Sequence, residues 1–218
     1  MSLKPYIETL IAGDRHLTAD ETFNAFSVIL TENPPQCQVA SLLTLLRARR
    51  ETPQEIAGMV RAMNAACHAV KFSDDKKLLD IVGTGGDGAD TINISTASVV
   101  LAAACGATVA KAGNRSVSSC CGSADVLEAL GVQVDLNPTQ VVDCVEQCGI
   151  AFLFAPINHP AMKAVAPIRK QLGIRTCFNI LGPMTNAASA QRAVIGVFDG
   201  DLLPLMADTL KEVGRVDH

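Results

Sequence analysis

From residue 78 onward, short apolar runs alternate with helical segments that end at a glycine. These helix endings fall at Gly106, Gly131 and Gly149, and glycine commonly ends a helix because it adopts the left-handed conformation that other residues disfavour. The apolar runs cover residues 79–82, 108–110, 132–134, 150–155 and 193–198. Alternation of this kind is typical of βαβ units. The sequence therefore predicts an α/β fold with a mainly parallel sheet.

The first 70 residues contain helical patterns only. Thr18–Glu21 and Thr52–Glu55 both match the capping box, in which a threonine and a glutamate three residues later close the start of a helix. We expect a small N-terminal helical domain over 1–70, followed by an α/β domain over 71–218. We also expect the helical segment 159–176 to pack on the N-terminal domain.

Composition excludes several classes of protein. The net charge of −4 argues against a nucleic-acid binder, and the apolar runs are too short to span a membrane. Eight cysteines occur without a secretory start or zinc-ligand spacing, so we expect a cytoplasmic protein with reduced thiols.

A glycine-rich loop follows the first predicted strand. Leu78–Val82 leads into Gly83–Gly88, and Asn93 precedes an apolar helix. Glycine lets backbone approach a phosphate closely, and the first N–H groups of a helix bind anions. Asp87 would repel a phosphate unless a cation lay between them, so the loop indicates a metal-chelated pyrophosphate. The same glycines match a dinucleotide fingerprint, but the next strand ends in Lys111 instead of the expected ribose-binding acid.

A second polar loop, Lys111–Ser119, follows the next predicted strand. Because parallel strands end at the same edge of a sheet, we expect the two loops to converge. Lys111 offers a point charge and Arg115 a planar fork of donors. Two such loops at one crevice suit a doubly phosphorylated sugar.

The chain also resembles a known family. The segments GTGGDG, NIST and KAGNRSVSS, with Arg169–Thr176 and Phe178–Pro183, are similar to anthranilate phosphoribosyltransferases of tryptophan biosynthesis. The resemblance covers essentially the whole chain. It implies a glycosyltransferase that moves phosphoribosyl from phosphoribosyl pyrophosphate to the amine of anthranilate, releases pyrophosphate and uses Mg²⁺. It also implies a homodimer formed through the N-terminal helices.

The resemblance assigns roles to particular residues. It implies that phosphoribosyl pyrophosphate is held by Gly83, Gly86, Asp87, Thr91, Asn93, Ile94, Ser95, Thr96, Lys111, Gly113, Asn114, Arg115, Ser116, Val117, Ser118, Ser119 and Ser123. It implies that anthranilate contacts Gly83, Asn114 and Arg169, and that Ser95 is a ligand of Mg²⁺. Arg169 suits this role because a guanidinium fork matches a carboxylate.

Two departures from the family stand out. The family has a histidine where this chain has Ala112, which removes a contact expected at the anthranilate site. The family also places an Asp-Glu pair that holds Mg²⁺ beyond the last predicted helix, whereas this chain ends at His218. We therefore expect a C-terminally short chain that is weakly active or inactive.

Two other functions fit a related fold. A nucleoside-phosphorylase-like enzyme would share the helical and α/β architecture, but the Lys111–Arg115 motif favours the transferase. A non-catalytic relative that binds nucleic acid would need a coherent basic surface. The basic clusters, Arg47–Arg50 and Lys76–Lys77, are too short for one.

Overall fold

The computed structural model of the protein describes residues 1–73, 75–85, 91–116 and 121–214. Its helices are α1 (Lys4–Ala12), α2 (Ala19–Thr31), α3 (Gln36–Arg49), α4 (Pro53–Ala65), α5 (Ile94–Ala104), α6 (Ser123–Ala129), α7 (Pro138–Cys148), α8 (Ala155–Asn158), α9 (Met162–Leu172), α10 (Phe178–Met184) and α11 (Leu203–Val213). Its strands are β1 (Leu78–Gly83), β2 (Thr108–Gly113), β3 (Ile150–Phe154) and β4 (Arg192–Gly196). Within the described ranges, no helix has both the length and the apolar character that crossing a membrane requires.

Internal contacts divide the described chain into two compact units, one helical and one α/β. The helical unit contains Met1–Cys67, Ala161–Thr185 and the described residues from Asp201 onward, and the α/β unit contains His68–Pro160 and Asn186–Gly200. The sequence analysis placed 71–218 in the α/β domain and expected the segment 159–176 to pack on the N-terminal domain, whereas the structure groups Ala161–Thr185 and α11 with the helical unit. The reason is packing: α9 contacts α2 and α3, whereas α10 and α11 contact α4.

The helical unit begins its second and fourth helices with the predicted capping boxes. Thr18 Oγ1 accepts from the Glu21 N–H at 3.2 Å, and the Glu21 carboxylate accepts from the Thr18 N–H at 2.9 Å. Thr52 and Glu55 make the same two bonds at 3.2 and 2.9 Å. Glu55 is 1% exposed and also accepts from the Leu17 N–H at 3.0 Å. This cap therefore also ties the segment before α2 to the start of α4.

Helices α2 and α4 approach each other closely at Gly58. A Cβ atom placed on Gly58 would lie 2.2 Å from the Ala19 carbonyl oxygen and 3.0 Å from the Phe23 backbone nitrogen. Both neighbours are backbone atoms of α2, so neither can move without displacing the helix. The two helices can pack at this separation only because residue 58 has no side chain.

Substitution of Gly58 by alanine is therefore expected to destabilise the protein. Overpacking of this kind costs about 1–3 kcal/mol, which exceeds the gain of about 1 kcal/mol in helix propensity. Gly182→Ala is the matched control, because this helical glycine has no atom within 4 Å of its added Cβ. Urea unfolding of both variants measures the difference. Equal unfolding midpoints for the two variants would contradict the interpretation.

The α/β unit is built on a four-stranded sheet with the order β3-β2-β1-β4 among the described residues. All three pairings are parallel, with Ala110 beside Ala151 and Asp80 beside Ala193. Gly131 and Gly149 follow α6 and α7 in the left-handed conformation, with φ of 82° and 75°. A helical domain followed by a parallel α/β sheet is therefore confirmed.

The predicted strand at 132–134 is wrong. The segment between α6 and α7 has no strand, although Val134 is only 2% exposed. Its side chain packs in an apolar cluster with Ala124, Phe152 and Phe154. Burial of this valine explains the apolar residues at 132–134 although the segment is not a strand of the sheet.

The predicted loop around Gly182 and Pro183 is also wrong, because both residues lie in α10. Phe178, Leu181 and Met184 are 5%, 1% and 1% exposed. Their spacing of three residues places them on one face of the helix. Burial of this face stabilises a short helix that the local glycine and proline disfavour.

Candidate functional site

Both predicted phosphate loops leave the same edge of the sheet, at the carboxyl ends of β1 and β2. Strand order reverses at β1, because β2 and β3 lie on one side and β4 lies on the other. Such reversals form ligand crevices at the carboxyl ends of parallel strands. Gly83 ends β1 beside Gly196 of β4, and the Thr84 N–H donates to the Gly196 carbonyl at 2.9 Å. The predicted residues that lie outside the described ranges are Gly86, Asp87, Val117, Ser118 and Ser119.

The first turn of α5 presents uncapped N–H groups to this edge. Asn93 precedes the helix, but its side chain donates to the Cys121 carbonyl at 3.0 Å and does not cap it. Within the described ranges, the N–H groups of Ser95 and Thr96 have no hydrogen-bond acceptor. The Thr96 hydroxyl is buried and likewise has no partner there. Unsatisfied donors at a helix start are the usual binding site of a phosphate.

The Lys111 side chain lies between β2, β1 and the start of α5. Its ammonium donates to the Ile81 carbonyl at 2.7 Å and to Ser95 Oγ at 3.3 Å. Lys111 is only 2% exposed, and this burial lowers its pKa to about 8, partly opposed by the charge of Asp80. A cation at a helix start faces the positive end of the helix dipole. The arrangement therefore favours a bound anion.

The loop after β2 is held together by its own backbone and by Asp125. The Asp125 carboxylate accepts from the N–H groups of Ser116 at 2.9 Å and Gly122 at 2.7 Å. The Ala124 N–H donates to the Asn114 carbonyl at 3.1 Å. These bonds join the two ends of the loop.

Two glycines make this closed loop possible. A Cβ atom on Gly122 would lie 2.3 Å from the Ser116 nitrogen, and one on Gly113 would lie 2.6 Å from the Phe152 ring. The predicted site residue Ser123 follows Gly122 as the first residue of α6, and its Cβ would lie 3.1 Å from a Cβ atom placed on Gly113. Gly113 therefore lets the end of β2 pass between Phe152 and α6.

Arg115 is the predicted phosphate ligand whose surroundings differ most from expectation. Its guanidinium donates to the Glu128 carboxylate at 3.2 and 2.5 Å and lies 4.6 Å from the centre of the Phe154 ring. The paired Glu128 carboxylate raises the pKa of Arg115. The Arg115 guanidinium is therefore hydrogen-bonded to α6 of its own unit. Its role as a phosphate ligand stays a prediction.

The three predicted anthranilate contacts fall on different units. Gly83 and Asn114 belong to the α/β unit, whereas Arg169 belongs to the helical unit near the end of α9. The Arg169 guanidinium lies 5.5 Å from the centre of the Phe178 ring, and burial lowers its pKa. No acidic side chain of the described residues forms an ion pair with it. A partly buried guanidinium without a carboxylate is suited to a carboxylate ligand.

Two residues next to the site were not predicted. Asp80 and Asn186 are 2% and 3% exposed, and the Asn186 amide donates to the Asp80 carboxylate at 2.7 Å. A charged residue within the apolar run Leu78–Val82 was the available signal for Asp80. Nothing local distinguishes Asn186, because its partner lies 106 residues away in the sequence.

The metal ligand predicted for this site lies at the start of α5. The structure places the predicted ligand Ser95 in the first turn of α5, while Thr91 and Ile94 beside it are exposed. No group of three histidine, cysteine or acidic residues that could hold a metal occurs among the residues described.

Fold and site geometry together define an α/β protein with a helical bundle at its N-terminus and a positively charged site at the carboxyl edge of its parallel sheet. Two family profiles match the chain: the helical bundle domain of a glycosyl transferase family over residues 4–67, and the a/b domain of such a family over residues 75–218. The chain belongs to this glycosyl transferase family, and the predicted resemblance to anthranilate phosphoribosyltransferases is confirmed by its relatives.

Three relatives illustrate the similarity. The anthranilate phosphoribosyltransferase of Stenotrophomonas maltophilia is 50% identical over 200 residues, which cover 92% of this chain and 58% of that protein. The Thermus thermophilus enzyme structure superposes with a TM-score of 0.91 at 43% identity, covering 99% of this chain and 65% of that one. The Saccharomyces cerevisiae enzyme, solved in complex with PRPP and Mg, gives 0.88 at 31% identity, covering 97% and 62%. The chain thus spans less than two thirds of the length of these relatives.

Proposed function

We propose that the protein is an anthranilate phosphoribosyltransferase that uses phosphoribosyl pyrophosphate and Mg²⁺. The observation that carries the proposal is the buried Lys111 ammonium beside the uncapped first turn of α5. These two positive groups lie at the carboxyl edge of a parallel sheet, where a polyphosphate would satisfy both. The named relatives act on these substrates, and the yeast relative was solved with PRPP and Mg.

In the proposed reaction, a C–N bond forms between the anthranilate amine and the anomeric carbon of the ribose. The C–O bond to pyrophosphate breaks, the electron pair leaves with pyrophosphate, and the amine proton passes to solvent. Lys111 and the N–H groups of Ser95 and Thr96 would stabilise the negative charge that grows on the leaving group. No covalent nucleophile of the protein is needed, so catalysis rests on positioning and charge.

The donors at the start of α5 fit a magnesium pyrophosphate. The Ser95 and Thr96 hydroxyls are hard oxygen donors of the kind that Mg²⁺ accepts, and the Thr96 hydroxyl has no partner among the described residues. Ser95 would be the metal ligand, and bound Mg²⁺ would neutralise part of the pyrophosphate charge. Asp87, predicted for the same region, lies outside the described residues.

Calorimetric titration tests the proposal directly. Phosphoribosyl pyrophosphate with Mg²⁺ is expected to bind first and anthranilate to bind the resulting complex, whereas the release of pyrophosphate is expected to be slow or undetectable, as the sequence analysis predicts. Light scattering on the same sample reports whether the chain forms the proposed homodimer through its N-terminal helices. Absence of phosphoribosyl pyrophosphate binding would overturn the proposal. Cleavage of nucleosides by inorganic phosphate would favour the phosphorylase-like alternative.

Replacement of Arg169 by alanine is expected to weaken anthranilate binding selectively. Loss of a charged hydrogen bond to a carboxylate costs about 1.5–3 kcal/mol, which is roughly a 10- to 150-fold loss of affinity. Affinity for phosphoribosyl pyrophosphate should not change. Lys170→Ala is the matched control, because this neighbouring cation is exposed. Calorimetry with phosphoribosyl pyrophosphate present would measure both, and unchanged anthranilate affinity in Arg169→Ala would contradict the assignment.

A further inference from the structure

The sheet separates between β1 and β2 directly below the proposed site. Among the described residues, the two strands pair only at Leu78 with Thr108 and at Leu79 with Val109. Beyond this point β1 continues to Gly83 paired with β4, and β2 continues to Gly113 paired with β3. The central pair of strands therefore loses its backbone hydrogen bonds where the two phosphate loops begin.

Three side chains take the place of the missing backbone bonds. In the register of Leu79 and Val109, a continued parallel ladder would join the Ala112 N–H to the Ile81 carbonyl and would bond the Ala110 carbonyl as well. Instead, the Ala112 N–H donates to Asp80 Oδ1 at 3.1 Å. The Ile81 carbonyl accepts from the Lys111 ammonium at 2.7 Å. The Ala110 carbonyl accepts from the Asn186 amide at 2.8 Å.

Asp80 and Asn186 join these substitutions into one buried network. The Asn186 amide nitrogen also donates to Asp80 Oδ2 at 2.7 Å, and its oxygen accepts from the Ala188 N–H at 2.9 Å. A buried polar network of this kind holds one arrangement firmly, because each member would lose much energy if left without partners. The separation of the strands is therefore built into the fold.

The separation leaves the Ile81 carbonyl free to accept from Lys111. If the ladder continued, the Ala112 N–H would occupy that carbonyl, and the ammonium would lose its shortest hydrogen bond. A buried lysine beside the start of a helix needs such an acceptor to stay in place without an anion. The position of Lys111 thus depends on Asp80 holding the Ala112 N–H and on Asn186 holding the Ala110 carbonyl.

We infer that Asp80 and Asn186 are positioning residues for the phosphate site, and that they act by keeping β1 and β2 apart so that Lys111 faces the leaving group. The inference rests on the proposed function. Both side chains are buried, so neither is placed to contact the substrate directly. Each acts through Lys111 and through the backbone at Ala112, which leads directly into the loop containing Asn114.

Asn186→Ala tests the inference through the affinity for phosphoribosyl pyrophosphate. Misplacement of a charged group by a distant substitution can cost up to about 100-fold, and we expect a loss of about 10- to 100-fold. Asp80→Asn, which preserves the shape of the side chain, should also weaken binding. It is the alternative test if Asn186→Ala does not fold. Asn158→Ala is the matched control, since it removes another buried asparagine of the same unit. It should leave this affinity unchanged.

A double-mutant cycle separates positioning from a general loss of stability. In a Lys111→Met background, Asn186→Ala should have no further effect on affinity, because the group through which it acts is gone. The amide NMR signal of Ala112 should also move in Asp80→Asn, as its acceptor loses its charge. Unchanged affinity in Asn186→Ala and Asp80→Asn, or additive losses in the cycle, would overturn the inference alone. Absence of binding by the unsubstituted protein would overturn the proposed function as well.

Discussion

Replacement of Lys111 by methionine is expected to cause the largest loss of phosphoribosyl pyrophosphate binding of any single substitution in this site. Methionine keeps most of the apolar length of the side chain but removes the buried ammonium that lies 3.3 Å from Ser95 Oγ. Only the N–H groups at the start of α5 would then remain of the two positive groups proposed to bind the pyrophosphate. A lost charge-assisted hydrogen bond of this kind costs about 3 kcal/mol, which corresponds to a roughly 100-fold weaker affinity. Calorimetry at pH 7 with Mg²⁺ measures the change.

The pH dependence of binding provides an independent check on Lys111. Burial lowers its pKa to about 8, so the ammonium is charged below that pH and becomes neutral above it. A polyanion binds the charged form, so affinity should fall as the pH rises through about 8, by at most about tenfold per pH unit. The fall should be absent or much shallower in Lys111→Met.

Lys77→Met is the matched control for these measurements. Lys77 is exposed and immediately precedes β1, at the opposite ends of the strands from the site. Its substitution should change neither the affinity at pH 7 nor the pH profile. A Lys111→Met protein that binds as tightly as the unsubstituted one, with the same profile, would contradict the assigned role of the ammonium.

The second large effect is expected from Gly122→Ala. The added Cβ would lie 2.3 Å from the Ser116 nitrogen, 2.6 Å from the Arg115 carbonyl carbon and 2.9 Å from the Asn114 carbonyl oxygen. All three neighbours are backbone atoms, so Gly122 and the segment 114–116 must move apart to admit the methyl group. Opening would weaken the two bonds from Ser116 and Gly122 to Asp125.

We expect Gly122→Ala to weaken phosphoribosyl pyrophosphate binding at least about tenfold, since the loop no longer presents its groups together. Stability should fall by about 1–3 kcal/mol, as for other overpacked positions. Gly200→Ala is the control, because no atom lies within 4 Å of its added Cβ. Thermal unfolding and calorimetry measure the two effects. Native affinity in Gly122→Ala would show that the closed form of this loop is not needed for binding.

Local signals in the sequence were sufficient for most of the fold. Both capping boxes form, since each needs only a threonine and a glutamate three residues apart. The turns at Gly131 and Gly149 have the positive φ that helix endings favour. The pattern failed at Val134 and Pro183, where burial against distant residues overrides the local preference.

The candidate site, like the fold, was predicted from the sequence only in part. The motifs indicated a phosphate site at the ends of two neighbouring strands, because parallel strands direct their loops to one edge. They could not indicate that Arg115 is engaged by Glu128 and Phe154, or that Asp80 and Asn186 hold the strands apart. Those pairings depend on which side chains the tertiary fold brings together.

The sequence by itself determined most of the order of helices and strands, the motifs that predict a phosphate site, and the family. These depend on spacing, and spacing is local. Only the tertiary structure decided that α10 and α11 join the N-terminal helices, and that Lys111 is buried with a lowered pKa beside the start of α5. The reason is that desolvation and hydrogen bonding across a sheet depend on residues far apart in the chain, as Asp80 and Asn186 are.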